Sequence, residues 1–439
     1  MNFPCPATQS RHGRTYKRLQ SSLKHRHSTG GRMVLRKVFP AMFTLPKEAP
    51  ACSRNGTLYL LRCIFLMGVR RPPARFFVAY CLWSFALNLC STFYQPIGFL
   101  TGYISHLSEF SPGEFLTSLQ VAFNAWSCST KVLIVWALVK HFDDANDILD
   151  EMDRRLTQPS ERLRVHQAVS RSNRIFFIFM TVYMVYATNT FLTAILMGRP
   201  PYQNYYPYLD WRSSSWQLGL QSGLEYFAMA GACFQDVCVD CYPVNFVLVL
   251  RAHMSIFADR LRLLGSDPEE SPEQRYEQLI QCIQDHKTIL RFVDCLRPVI
   301  SGTIFVQFLV VGLVLGFTLI NIVLFANLGS AIAALSFMAA VLLETTPFCI
   351  LCNYLTDDCY NLADALFESN WIDGEQRYKK TLMYFLQKLQ QPITFMAMNV
   401  FPISVGTNIS VTKFSFSVFT LVKQMNISEK LSKVEGEAD

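Results

Sequence analysis

The apolar positions of this chain fall into blocks of about 20 to 30 residues, the length a helix needs to cross a bilayer hydrocarbon core. Seven blocks can be placed, at about 76–100, 114–139, 175–197, 216–250, 299–325, 331–355 and 400–425. Between them the pattern becomes amphipathic. Leu250, Met254, Phe257, Leu261 and Leu264 keep a helical stripe beyond the fourth block until Gly265 and Pro268 stop it. Tyr276, Ile280, Ile283, Leu290 and Val293 predict a second stripe leading into the fifth block, and Tyr378, Leu382, Phe385 and Leu389 a third before the last. Phe142, Ile148, Leu149, Met152 and Leu156 give a fourth within 140–174. Stripes of this kind need one another, so a packed helical bundle outside the bilayer is expected, and with it a place for subunits to join.

The last block differs from the rest. Ser404, Thr407, Asn408, Ser410, Lys413, Ser417 and Gln424 interrupt it, so one face must meet water or polar protein. Pro402 and Gly406 predict a break between it and a helix arriving over Tyr378–Met398. The second block carries Asn124, Trp126 and Lys131, which turns one of its sides toward protein. Leu58–Met67 is too short to span and reads as an interfacial helix before the basic stretch 70–75.

Charge sets the orientation. Of the 40 Lys and Arg, 15 precede Phe76, where Glu48 is the one acid. The segments placed inside carry 15, 7, 7 and 4 Lys and Arg, and those placed outside (101–112, 199–215, 326–330 and 426–439) carry 0, 2, 0 and 2. The expectation is an all-α membrane protein of seven helices with a cytoplasmic amino terminus and an extracellular carboxy terminus. Its parts are a basic, mostly disordered arm (1–57), helices 1–4 (58–250), a cytoplasmic helical extension (251–298), helices 5–6 (299–356), a cytoplasmic anchor segment (357–399), the last helix (400–425) and an outer tail (426–439). A G-protein-coupled receptor has the opposite orientation; Met152-Asp153-Arg154-Arg155 lies in the wrong loop for its ionic motif, and the last block has no Asn-Pro-x-x-Tyr. A basic arm before a first span serves membrane orientation, so no nucleic-acid partner is expected.

Fourteen cysteines, none in a segment placed outside, read as buried apolar residues rather than a disulfide scaffold. Cys238-x-x-Cys241 and Cys349-x-x-Cys352 lie in apolar runs with no second pair, so no metal is expected. Enzyme motifs are absent: there is no Gly-rich phosphate loop, no His-Glu-x-x-His and no Gly-x-Ser-x-Gly, and no cofactor is implied. Asp236 and Asp240 share one helix face, and Glu344 lies in the sixth block. They could carry a cation or protons in a transporter, or the two aspartates could sit at the cytoplasmic interface of an overlong helix. The aromatic run 202–211 reads as an interfacial belt or as a lid over a ligand entrance. Asn55-Gly56-Thr57 and Asn426-Ile427-Ser428 fit the glycosylation pattern but are badly placed for it.

The run Lys413-Phe414-Ser415-Phe416-Ser417-Val418-Phe419, with Leu421 and Gln424 after it, resembles the carboxy-terminal signature of insect odorant receptors, and Leu386–Ile393 that of fly members. Phe110–Leu116, Leu250-Arg251-Ala252-His253 and Gly312–Asn321 are of the same kind, and the likeness extends from about Met33 to Glu429. Residues 1–32, with His12, His25 and His27 among seven Lys and Arg, lie before it, so Met33 is the expected working start or the extension is dispensable. The resemblance implies a ligand-tuned subunit that joins the odorant coreceptor in a heterotetrameric, non-selective cation channel opened by small volatile odorants, in the plasma membrane of olfactory neuron dendrites. It implies that Leu421 forms the apolar gate, with Gln424 one turn further out, while Lys423 departs from the apolar residue usual there. It also implies an odorant pocket in the outer halves of spans two, three, four and six, for which Asn124, Tyr186, Thr190, Tyr226, Met229 and Phe337 are candidates suited to esters, alcohols or ketones. A gustatory relative forming a homomeric channel is the alternative closest to it.

Overall fold

The computed structural model describes residues 38–69, 72, 76–106, 111–202, 204–206, 208–325 and 328–424. The amino-terminal arm with its histidines and Met33, most of the basic stretch 70–75, Phe110 and the tail with Asn426 lie outside the described residues. Helix α1 is Leu58–Leu66; α2 (Phe77–Asn88) passes through a π-helical stretch (Leu89–Tyr94) into α3 (Gln95–His106). Then follow α4 (Pro112–Leu138), α5 (Lys140–Asp153), α6 (Pro159–Leu196), α7 (Ser215–Arg262), α8 (Pro272–Leu324), α9 (Leu328–Phe367) and α10 (Gln376–Leu389). A two-residue antiparallel ladder, β1 (Met396–Ala397) with β2 (Phe401–Pro402), leads into α11 (Val405–Gln424). Among the described residues six helical stretches are long and apolar enough to cross a membrane; α11, interrupted by polar residues, is not one of them.

Length explains the architecture. A helix of 48 residues such as α7 is about 72 Å long, more than twice a bilayer core, so it must continue past the membrane. The same holds for α8, with 53 residues. Where α7 leaves its apolar stretch, the stripe Leu250, Met254, Phe257, Leu261 and Leu264 is buried, and Gly265 ends it at φ +69°. Tyr378, Leu382, Phe385 and Leu389 of α10 are buried as well. These helices, with α5 and the start of α6, form the anchor end of the molecule. Helix α7 is its axis: 94% of its apolar window is buried, against 22% for that of Phe77–Ile104, whose exposed Phe77, Val78, Leu82 and Phe85 suit lipid.

Two expectations are corrected. The stripe on α8 is Leu279, Cys282, His286, Ile289, Phe292, Val293 and Leu296, whereas Leu290 faces outward. The helix arriving before α11 stops at Leu389, not Met398, because a residue before proline avoids the helical region and Pro392 follows Gln391. Pro402 then sits in the ladder, the chain reverses through Met398 and Asn399 at positive φ, and Gly406 lies inside α11. Helix α6 contains the expected third span and extends before it to Pro159, where its first turn is held by a capping box between Gln158 and Glu161. Among the described residues nine of the thirteen cysteines are buried.

At the anchor end the segment Ser53–Thr57 is docked through Asp153 of α5. Its carboxylate accepts from the Ser53 amide at 2.6 Å and the Ser53 hydroxyl at 2.7 Å, and that hydroxyl also meets His253 Nε2 at 2.7 Å. Burial pushes Asp153 up to about 6, although the Ser53 bonds oppose the shift; burial pushes His253 down to about 4, helped by Arg260. The ionised Asp153 is therefore penalised in the fold above pH 6, and the penalty is relieved as pH falls from about 7 toward the unfolded value near 3.9. Asp153→Asn removes that titration and leaves the opposite one of His253 in place. Relative to the variant, the native protein should gain about 1 kcal/mol of stability between pH 7 and pH 5, read from thermal unfolding in detergent.

Candidate functional site

At the end of the bundle away from the anchor, the ends of α4, α6, α8 and α9 surround a cavity of about 280 Å³. It is lined by Thr117, Ser118 and Val121 of α4, by Tyr186 and Thr190 of α6 and by Phe337 of α9, among others. A second cavity, of about 30 Å³, lies deeper, between α4, α6, α7 and α9. Val121, Tyr186 and Phe337 line both and form the partition between them. The Tyr186 and Phe337 rings lie 5.3 Å apart, and the Tyr186 hydroxyl is 3.4 Å from that of Tyr202. The volumes fall below the roughly 300–1,000 Å³ of drug-sized sites, so the space suits a small, mostly apolar molecule that meets a few hydroxyls and amides.

The inner cavity ends on charge. Asp236 of α7 and Glu344 of α9 line it. Beneath them Lys131, reaching from α4, is 1% exposed. Its ammonium lies 2.8 Å from Asp236 Oδ1 as an ion pair, and donates to Asp240 Oδ1 at 2.7 Å and to Gln307 Oε1 of α8 at 2.5 Å. Gln307 Nε2 in turn donates to Glu344, and the Tyr183 hydroxyl donates to Asp240 at 3.0 Å. Asp236 and Asp240 are thus buried between helices, not placed at an interface as an isolated reading of α7 suggests. Oxygens of Asp236, Asp240 and Glu344 lie within 4.8 Å of one another, a spacing a metal ion could use, but the Lys131 ammonium is already paired with both aspartates.

The sequence-based candidates divide between these spaces. Asn124, Met229, Tyr186 and Phe337 line the inner cavity, and Thr190 joins Tyr186 and Phe337 at the outer one. Asn124 Nδ2 is 3.5 Å from Asp236 Oδ2, Met229 Sδ accepts from Gln95 Nε2 at 3.6 Å, and the Thr190 hydroxyl donates to the Tyr186 carbonyl. Tyr226 lines neither cavity: its hydroxyl meets Thr188 at 3.1 Å and its ring packs on Phe191. Leu421 is exposed on α11, one turn beyond the Val411, Phe414 and Val418 contacts that the helix makes with α8, and the Gln424 side chain lies outside the described residues. Trp126 is half-exposed on the far side of α4 from Lys131.

Glu225 was not legible as a site residue. Buried on α7, it accepts from the backbone amides of Tyr202 at 2.7 Å and Asn204 at 3.0 Å, and so folds the aromatic loop over the outer cavity. Tyr208, at 94% exposed, points away as an interfacial ring does. Replacing Glu225 by Ala leaves two buried amides without their acceptor, at about 1–3 kcal/mol each. Limited trypsin digestion should then cut at Arg212 several times faster than in the native protein, while Glu225→Gln, which keeps one acceptor, falls between.

The 7tm Odorant receptor family model matches residues 111–416. Odorant receptor 42a of Drosophila melanogaster is 85% identical over 405 residues, covering 92% of this chain and all of the relative. Odorant receptor 42b of the same organism is 46% identical over 399 residues, 91% of this chain and 99% of the relative. Among solved structures, the insect olfactory receptor OR5 from Machilis hrabei superimposes with a TM-score of 0.69 at 13% identity, over 84% of this chain and 98% of that one. Its complex with eugenol gives 0.71 at 14% identity over the same shares.

Proposed function

Because this chain belongs to the insect odorant receptor family, whose members form odorant-gated channels, we propose that it is the ligand-tuned subunit of such a channel, binding small volatile esters, alcohols or ketones in the paired cavities partitioned by Tyr186 and Phe337. The partition is the observation that carries this reading: an apolar volume with hydroxyls at its rim and an amide at its floor fits a short molecule with a single polar group. The Machilis receptor in complex with eugenol shows a small odorant bound by a protein of this fold. Asn124, Tyr186, Thr190, Met229 and Phe337 are the assigned contacts; Tyr226 acts from behind α6, through Thr188 and Phe191.

The channel is a heterotetramer with the odorant coreceptor, in the plasma membrane of olfactory neuron dendrites. Its pore is lined by α11 as a seventh span, with Leu421 at the constriction and Gln424 beyond it. An apolar Leu421 exposed on the single chain supports this, since a ring of such side chains closes a pore by dewetting. The charge asymmetry of the loops supports a cytoplasmic amino terminus, with the anchor end in the cytosol. Odorant-evoked current from cells expressing the chain with and without the coreceptor, with G-protein signalling blocked, tests the reading. Current that needs the coreceptor and survives the block is expected. Current without the coreceptor would favour a homomeric channel, and loss under the block a metabotropic receptor. An epitope after Asp439 should be reached by antibody on intact cells.

A further inference from the structure

Helix α11 is attached to the rest of the chain in two ways. Along α8, Gly312 and Gly316 bring the backbones close: a Cβ at Gly312 would lie 3.1 Å from Phe414, and one at Gly316 3.3 Å from Val418. At its first turns α11 is instead pinned to α9 by polar side chains. The Asn408 amide accepts from the Thr345 hydroxyl at 3.2 Å and donates to the Thr346 hydroxyl at 3.0 Å, and the Val405 amide donates to Asn353 Oδ1 at 3.3 Å. Asn408 and Thr345 are both buried.

The pin sits at an unusual place on α9. Glu344, the residue before Thr345, lines the inner cavity and is bonded by Gln307 of α8. Pro347 follows Thr346 inside the helix. Lacking an amide hydrogen, it leaves the carbonyl of Leu343 without its helical donor, so the turn that holds Glu344, Thr345 and Thr346 is the one where α9 bends most easily. The two attachments of α11 therefore straddle a hinge, Asn408 on one side of Pro347 and Val405 on the other. A molecule that fills the inner cavity presses on Glu344, and any bend this causes changes the two attachments unequally, which tilts α11.

We propose that Thr345, Thr346 and Asn408 form the link through which occupancy of the inner cavity at Glu344 moves α11. These are positioning residues, since none of them lines either cavity. The inference rests on the reading of α11 as the pore helix. An element that both sites bias, with discrete bonds on either side of a hinge, is what coupling between distant sites requires.

The test records currents from cells expressing the full chain with the coreceptor, using straight-chain acetate esters from methyl to hexyl as probes, with surface-delivered chain quantified in the same cells. Thr345→Val with Thr346→Val removes both hydroxyls and keeps side-chain volume. Current per delivered subunit at saturating ester is expected to fall about tenfold, the upper part of the range for such couplings, with the order of preference among the esters unchanged. Thr345→Ser with Thr346→Ser should return it to within about twofold. Adding Asn408→Ala to the double valine variant should cost little more, since the pin is already open, whereas independent effects would multiply. A merely structural role lowers delivery and leaves current per delivered subunit as it was. If the double valine variant is not delivered, Asn408→Ser, which shortens one partner only, is judged on the same ratio. A native-like concentration–response curve from either delivered variant overturns the proposal. Native chain that gives no ester-evoked current with the coreceptor overturns the channel reading itself, and the two failures are read from different cells.

Discussion

Lys131→Met is expected to remove most of the chain from the cell surface and to lower its unfolding temperature in detergent more than any other single change considered. Its ammonium holds Asp236, Asp240 and Gln307 at 2.5–2.8 Å, with Glu344 bonded to the same Gln307. Without it, three carboxylates face one another in a dry interior, and no other Lys or Arg among the described residues is paired with them. Leaving a buried charge unpaired costs about 3–5 kcal/mol, against a total stability of about 5–15 kcal/mol for a typical folded chain. The cost belongs to the orphaned carboxylates rather than to the lost lysine, so neutralising them should restore much of it. Lys131→Met with Asp236→Asn and Asp240→Asn is expected to recover delivery where the single variant does not. A single variant with native delivery and unfolding temperature would mean that the cluster is not the keystone its geometry suggests.

That cluster also shows what could be read from the chain and what could not. The helical stripes on α7 and α10 were visible because one helix carries the whole signal at 3.6-residue spacing. On α8 the reading slipped by about one position, because His286 and Cys282 count as polar by type yet are buried. His286 stacks on Phe257 at 6.3 Å and meets Phe385 at 5.7 Å, where burial lowers it to about 4 and keeps it neutral. Lys131 could be placed against protein from its surroundings, but its partners could not be named, since Asp236 lies 105 residues further on a different helix. Glu225 and Gln307 were hidden for the same reason: each is an isolated polar residue in an apolar run, and its partner is set by packing. The end of the helix before α11 was misplaced because two prolines competed for the role, and Pro392, not Pro402, acts first.

The pocket candidates were legible in part because an aromatic or amide on the inward side of a span has few other uses, and this leads to the second large effect. Phe337→Ala takes away the ring that, with Tyr186 and Val121, separates the two cavities. The stability loss should reach the 3–5 kcal/mol of a buried Phe→Ala change, or somewhat less because the site already borders open space. The larger consequence is on tuning. A short ester held against the ring loses its wall, and each missing methylene-sized contact in an apolar pocket is worth about 1–3 kcal/mol. A longer ester gains the joined volume for its chain. Potency for methyl and ethyl acetate should therefore fall by about tenfold or more while that for hexyl acetate rises, so that the ratio between them inverts even if delivery is reduced. Because a ratio of potencies is independent of how many channels reach the surface, an unchanged ratio in responding cells would place the odorant away from this partition, and with it the assignment of Tyr186 and Phe337.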